Sequence, residues 1–321
     1  MGEFDLIRKY FATASCTQVG ESITLGIGDD CALLALPSGE QMVISTHTLV
    51  AGVHFVDPCD PFLLGQRSLA VAVSDLAAMG AHPLAFVLAL TTPTGDADWL
   101  KSYVLGLNAM AQSCGVALVG GDTTQGPLSL TLTVFGRVPD GQALTRSGAQ
   151  QGDLLCVGGE LGNAAAALPL VLGQRSADDA ISDIFLSHYW SPQPQLALGL
   201  ALRGKATSAM DISDGLLADC DHIAKASSVR LVVECQRLPL SKDLLEFVGV
   251  EEARVAALSG GDDYVLAFTL PPVNLVPLLS IGCPIHVIGR VEAGQGVRLI
   301  DASGRELTQP VRGYQHFSET L

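Results

Sequence analysis

Gly26-Ile27-Gly28-Asp29-Asp30 sets two adjacent carboxylates at the exit of a turn that its glycines make possible. The chain returns to that combination four more times. Asp75 stands in Ser74-Asp75-Leu76-Ala77-Ala78, and Asp122 in Gly120-Gly121-Asp122-Thr123-Thr124. Asp211 and Asp214 share Asp211-Ile212-Ser213-Asp214-Gly215, and Asp262 and Asp263 share Gly260-Gly261-Asp262-Asp263-Tyr264. Each group follows an apolar segment and lies beside Gly, Ser or Thr. Carboxylate and hydroxyl oxygens are hard donors that suit Mg²⁺ or Mn²⁺ better than zinc. Glycines let backbone N–H groups approach phosphate oxygens. Phosphoryl transfer needs these parts, because positioning and charge neutralisation supply most of its catalysis. Any one motif alone also reads as a plain surface turn.

Three other readings fail on residue grounds. Gly26-x-Gly28 continues to Cys31 where a dinucleotide fingerprint requires Gly, and it leads into a strand. Gly199 to Lys205 approaches the P-loop pattern, but Ala206 replaces the metal-binding hydroxyl and the preceding segment reads as helix. Asp211 to Gly215 begins like a calcium loop, yet Leu216 stands at the Gly position and His222 at the Glu position.

The 321 residues suffice for two domains or one large one. Eighteen Lys and Arg against 33 Asp and Glu give a net charge of −15 without a basic cluster, which argues against nucleic acid or an anionic membrane as partner. Anionic ligands would then be neutralised by something other than side chains, and divalent metals held by aspartates are the candidate. No apolar run approaches the ~20 residues of a membrane span. Met1 to Tyr10 reads as an amphipathic helix with early acidic residues, not a signal peptide. Eight scattered cysteines without a Cys-x-x-Cys pair suggest small buried hydrophobes in a reducing cytoplasm.

Periodicity supplies the elements that position the aspartates. Strands are expected over Cys31–Leu36, Gln41–Ser45, Leu84–Thr91, Val116–Val119 and Leu128–Val138. Helices are expected over Pro61–Ala78 and around Trp99, Tyr103 and Met110. Further on, strands at Leu154–Val157, Ala206–Ile212, Val229–Cys235, Tyr264–Leu270, Ile285–Val291 and Val297–Ile300 alternate with helices around Ala164, over Leu216–Ala226 and up to Leu258. The alternation gives an α/β (α+β) class. A boundary near Gln150 divides the chain into 1–149 and 150–321. Ser74-Asp75 followed by Gly120-Gly121-Asp122 parallels Ser213-Asp214 followed by Gly260-Gly261-Asp262, a weak internal repeat.

Seven motifs in order carry a family resemblance: Gly26 to Asp30, Ser45-Thr46 through Val53-His54-Phe55, Ser74 to Gly80, Gly120 to Thr124, Thr145 to Gly148, Asp211 to Gly215 and Ser259 to Tyr264. Together they resemble the thiamine-monophosphate kinase family, over nearly the whole chain. The wider superfamily includes aminoimidazole-ribonucleotide synthetase and selenophosphate synthetase. The resemblance implies a two-domain aminoimidazole-ribonucleotide-synthetase-like fold whose amino-terminal domains pair through their sheets in a homodimer. It implies ATP-dependent phosphorylation of thiamine monophosphate to thiamine diphosphate, with several Mg²⁺ ions or Mn²⁺. On this basis Asp30, Ser45, Thr46, Asp75, Asp122, Asp211 and Asp214 match metal-binding positions. Gly121, Asp122, Arg146 and Ser213 match nucleotide contacts, and His54, Asp262 and Tyr314 match positions that meet the thiamine phosphate. Asp30, Asp75, Asp122 and Arg146 are the expected catalytic set. The bland alternatives are a surface ion pair for Arg146, an ordinary hydrogen-bonded His54 and core packing for Tyr314. Two positions depart from the family: His47 stands where Asp is usual, and Asp262 shortens a usual Glu. Competing expectations are another ATP-using synthetase of the superfamily and a non-catalytic acidic metal-binding protein.

Overall fold

The computed structural model describes residues 3–17, 22–280 and 282–308. Tyr314 and the tail around it lie outside the described residues. The chain divides into two units. The first comprises Met1–Leu76, Ala81–Ala143 and Trp190–Leu196, and the second Ala77–Gly80, Leu144–Tyr189 and Ala197–Leu321.

In the first unit a short helix, α1 (Glu3–Leu6), continues as one π-helical turn to Phe11. The expected Cys31–Leu36 strand shrinks to β2 (Leu33–Leu34), which pairs with β1 (Ile23–Leu25). A four-stranded sheet follows in the order β3 (Glu40–Val50), β6 (Ser129–Pro139), β4 (His82–Thr92), β5 (Ala117–Gln125). Only β4 and β5 run parallel in it.

Both edge strands are longer than the apolar pattern indicates. β3 runs through its polar stretch because successive side chains alternate faces. Ser45 and His47 point toward α2 (Pro61–Ala78), while Thr46 and Thr48 bridge to Thr133 and Thr131 at 2.9 Å each. β5 continues through Gly120-Gly121-Asp122, since β4 offers it backbone partners up to Thr92.

Helix α2 lies on the face that Ser45 shares with Gly136, whose neighbour is Leu76. Helix α3 (Ala97–Cys114) packs on α2, with Ser68 and Tyr103 hydroxyls 3.1 Å apart. Its ends are written in the sequence: the Asp96 side chain accepts from Asp98 and Trp99, and Gly115 closes the helix in a left-handed conformation.

The second unit is a six-stranded sheet in the order β12 (Gly296–Ile300), β9 (Arg230–Glu234), β11 (His286–Glu292), β7 (Leu154–Val157), β10 (Leu266–Leu270), β8 (Ser208–Asp211). Its helices are α4 (Asn163–Val171), α5 (Asp179–Trp190), α6 (Leu196–Leu202), α7 (Leu216–Ser227), α8 (Lys242–Val248), α9 (Val250–Ser259) and α10 (Leu275–Leu279). Leu216, Leu217, Cys220, Ile223 and Ala224 form one buried stripe of α7, at the spacing of a single helical face. That stripe packs with Leu231, Val233 and Ile288 of the sheet.

The internal repeat does not map onto equivalent elements. Asp75 lies within a helix and Asp122 within a strand, whereas Asp214 and Asp262 lie in loops.

Candidate active site

The first unit holds two separate groups of the expected residues. One surrounds a cavity of about 510 Å³, lined by Asp29, Asp30, Gly121, Asp122 and Thr123, with an apolar wall that includes Phe11 and Leu118. Asp29, Asp30 and Asp122 are exposed. The Asp30 N–H donates to the Asp29 carboxylate at 2.8 Å, and the Thr123 N–H to that of Asp122 at 2.8 Å. Gly121 has φ +152°, and a Cβ there would stand 1.9 Å from the Leu88 carbonyl oxygen. Any side chain would push the strand away from its neighbour, so glycine keeps the backbone against the cavity.

The second group lies at β3. Asp75 Oδ2 accepts a short hydrogen bond from the Ser45 hydroxyl and stands 2.9 Å from His47 Nε2. His47 therefore does not turn away from the expected metal site. It meets the same Asp75 oxygen that Ser45 does.

Thr46 faces the opposite side of the sheet, bonded to Thr133. Registers Thr48–Thr131, Thr131–Ala89 and Ala89–Asp122 make one row across all four strands. β3 and β5 are the two edges, so about 14 Å, three strand spacings, separates the backbone of Thr48 from that of Asp122.

His54 sits just after β3. Its Nδ1 accepts the Val50 N–H at 3.0 Å, which puts the imidazole proton on Nε2 and makes that nitrogen a donor.

In the second unit two loops are stitched together through their backbones. The Ser213 carbonyl accepts the Asp262 N–H at 2.9 Å, and the Ile212 carbonyl accepts that of Tyr264 at 2.8 Å. Gly261 has φ +76°, and a Cβ there would lie 2.6 Å from the Ser213 oxygen. Asp262 and Tyr264 themselves hold left-handed conformations, φ +61° and +49°, and the Tyr264 hydroxyl donates to Asp262 at 3.1 Å. Non-glycine residues adopt that region at a cost of roughly 1–2 kcal/mol, and such strain concentrates at functional loops. This brings Asp211, Ser213, Asp214 and Asp262 into one neighbourhood.

Arg146 is exposed and lies beside the same strand, since the Thr145 carbonyl accepts the Ala209 N–H of β8 at 2.9 Å. The Arg146 carbonyl accepts from the Ser227 hydroxyl, whose oxygen also accepts the Gly148 and Ala149 N–H groups, all at 3.1 Å.

Two carboxylates here were not singled out from the sequence as ligands of their surroundings. Asp219 is 1% exposed and accepts N–H bonds from Ser213, Asp214 and Gly215. Burial, reinforced by the nearby Asp214 and Asp211 charges, pushes its carboxyl up to about 7. Asp263 accepts the Gly162 N–H at 2.9 Å, and enclosure of its carboxyl raises it well above the usual range. An acidic residue in the first turn of a helix that follows Gly was the available sign for Asp219.

Among the described residues no three His, Cys, Asp or Glu side chains converge as a preformed metal shell. The donors come as pairs and singles, nearly all oxygen. That suits Mg²⁺, which binds through one or two carboxylates together with substrate phosphates and water.

The family model described as AIR synthase related protein, N-terminal domain, matches residues 28–138. Over 99% of its length the chain is 44% identical to the thiamine-monophosphate kinase of Escherichia coli (strain K12), covering 98% of that protein. The crystal structure of thiamine-monophosphate kinase from Stenotrophomonas maltophilia K279a superimposes with a TM-score of 0.85 at 43% identity, over 93% of this chain and 96% of that one. AaThiL complexed with AMPPCP and TMP gives a TM-score of 0.79 at 28% identity, over 88% and 89%.

Proposed function

The chain belongs to the thiamine-monophosphate kinase family, and on that premise we propose that it transfers the γ-phosphoryl group of ATP directly to thiamine monophosphate, giving thiamine diphosphate and ADP. The observation that carries the reading is the cavity where Asp30 and Asp122 stand exposed beside the close-approach backbone of Gly121.

The acceptor is a phosphate monoester with a second pKa of about 6, mostly ionised at pH 7, so the reaction needs no general base. Neither a nucleophilic side chain nor a phospho-enzyme is required. The obstacle is repulsion between two phosphate anions. Bound Mg²⁺, with Mn²⁺ as an alternative, supplies charge neutralisation and alignment of the phosphates. We assign Asp30, Ser45, Thr46, Asp75 and Asp122 in the first unit, and Asp211 and Asp214 in the second, to holding these ions. Gly121, Asp122, Arg146 and Ser213 contact the nucleotide, with Arg146 offering a planar cation to the transferring phosphoryl group. His54 donates from Nε2 to the thiamine phosphate, and Asp262 and Tyr314 are assigned to contact with the same substrate. On this reading residues 1–149 bind metal, ATP and a second copy, residues 150–321 complete the substrate site, and the enzyme works in a reducing cytoplasm.

The second copy pairs through the open sheet face. Ile44 is 59% exposed there, beside the Thr46, Thr48, Thr131 and Thr133 hydroxyls. Light scattering at micromolar concentration reads the dimer directly, and a monomer argues against it.

The function is tested by ³¹P NMR of the protein with Mg²⁺, ATP and thiamine monophosphate. Coupled appearance of a new diphosphate and ADP is expected. Metal binding without ATP consumption would overturn the reading.

A further inference from the structure

Asp219 lies in the first turn of α7, and its role is set by which atoms it meets. One oxygen, Oδ2, accepts N–H bonds from three successive residues: Ser213 at 3.0 Å, Asp214 at 3.1 Å and Gly215 at 3.2 Å. Successive amides converging on one point make an anion-binding nest. Here the chain fills it with its own carboxylate. An ordinary helix cap works the other way, with a residue before the helix accepting from amides inside it. Asp219 reaches back out of the helix to grip the loop before it.

The loop is gripped from its other side as well. The Ser213 and Ile212 carbonyls accept from Asp262 and Tyr264, and the Gly215 Cα faces Ser259, where a Cβ would stand 3.0 Å from its backbone. Donors on one side and acceptors on the other are thus satisfied within the protein. Between them the half-buried side chains of Ser213 and Asp214 are carried on a backbone held in one shape.

We propose that Asp219 is a positioning residue of the phosphoryl-transfer site, pre-forming the 213–215 loop so that Ser213 and Asp214 have binding geometry before nucleotide and metal arrive. The inference rests on the assignment of Ser213 and Asp214 to that site. Without Asp219 three amides lose their acceptor, and the loop samples other shapes. Apparent affinity then falls in proportion to the time the loop spends in its competent shape. Once the site is saturated the loop is ordered by its ligand, and turnover changes little. The signature is therefore a KM effect on ATP rather than a kcat effect.

The test compares Asp219→Asn with Asp219→Leu in the full chain, by steady-state kinetics with ATP varied at fixed Mg²⁺. Asn keeps an oxygen acceptor at the same reach, whereas Leu keeps the branched shape, is larger and has no acceptor. Asn is expected to hold KM for ATP within threefold of the parent. Leu is expected to raise it at least tenfold, with less than a threefold fall in kcat. Hydrogen exchange reads the loop separately: the 213–215 amides lose protection in the Leu protein and keep it in the Asn protein. Circular dichroism checks folding, and Asp219→Ala replaces Leu if that variant does not fold. An unchanged KM for ATP in a folded Leu or Ala variant overturns the proposal, as does a fall in kcat alone. Ser213→Ala and Asp214→Asn are measured alongside. If these also leave ATP kinetics unchanged, the assignment of the loop to the site is what failed; if they raise KM while the Asp219 variants do not, only the positioning role is lost.

Discussion

In the first unit Asp29, Asp30 and Asp122 stand exposed around a cavity, Asp29 and Asp122 each accepting the N–H of the next residue. In the second, Asp219 is 1% exposed, and the carboxylates of Asp219 and Asp263 are occupied by backbone N–H groups. The same side chain is left open to solvent in one place and consumed by the fold in the other. Burial decides between the two uses. A carboxylate enclosed in protein must be satisfied at once, because desolvation without hydrogen bonds costs several kcal/mol. One at a sheet edge or turn is satisfied by water until a ligand displaces it.

The contrast is broken most directly by removing charge at constant size. Asp30→Asn, Asp75→Asn and Asp122→Asn should each lower turnover by about 100-fold or more while far-ultraviolet circular dichroism stays that of the parent, the size of loss typical for a removed electrostatic contact to transferring phosphate. Near-parental activity in all three would mean that these carboxylates, exposed at Asp30 and Asp122 and half-buried at Asp75, hold no essential ion.

Stability should respond in the opposite pattern. Asp263→Ala leaves the Gly162 N–H without its acceptor and should cost about 1–3 kcal/mol in urea unfolding. Asp30→Ala should leave the urea midpoint unmoved. Equal shifts for both would erase the distinction between the units.

A smaller effect is expected at Arg146, whose exposed guanidinium lies on a loop anchored by backbone bonds to Ser227 and Ala209. Arg146→Ala should leave that anchoring intact. If the role is binding alone, added ATP restores kcat; a deficit that persists at saturation assigns Arg146 to the transition state.

The finest test is His47. With Nε2 at 2.9 Å from the Asp75 oxygen, the imidazole competes with a cation for that atom. His47→Asp replaces the competitor by a second hard ligand and should lower the Mg²⁺ concentration for half-maximal activity severalfold. The parent should in turn favour Mn²⁺ relatively more than the variant, since Mn²⁺ accepts imidazole more readily. Superimposable Mg²⁺ titrations of the two proteins would show the exchange to be silent.

How far the sequence could be read follows the same division between local and distant causes. The Pro61–Ala78 helix and the Leu154–Val157 strand were legible to the residue, because hydrophobic pattern and flanking breakers agree there. β3 and β5 ran longer than read, because their polar residues find partners on strands far along the chain, Thr131 and Thr133 for β3 and Ala89 to Thr92 for β5. Among site residues, an exposed Asp after Gly announces itself by type and spacing. Asp219 does not, since its partners are amides and every residue but proline carries one. The closeness of His47 to Asp75 was equally invisible, for it depends on how a helix lies across a sheet.

The strand order of the first unit also has a consequence for how the chain is made. β3 ends at Val50, yet the partner that flanks it in the sheet, β6, ends only at Pro139, and the unit takes in Trp190–Leu196 besides. At about 5–20 residues per second a ribosome takes several seconds to deliver β6. For that interval the emerging chain carries β3 with no strand beside it. Its alternating threonines, with a histidine between them, are a poor template for pairing with another nascent chain compared with an unbroken apolar strand. The polar stretch of β3 thus guards the longest wait in the synthesis of the sheet.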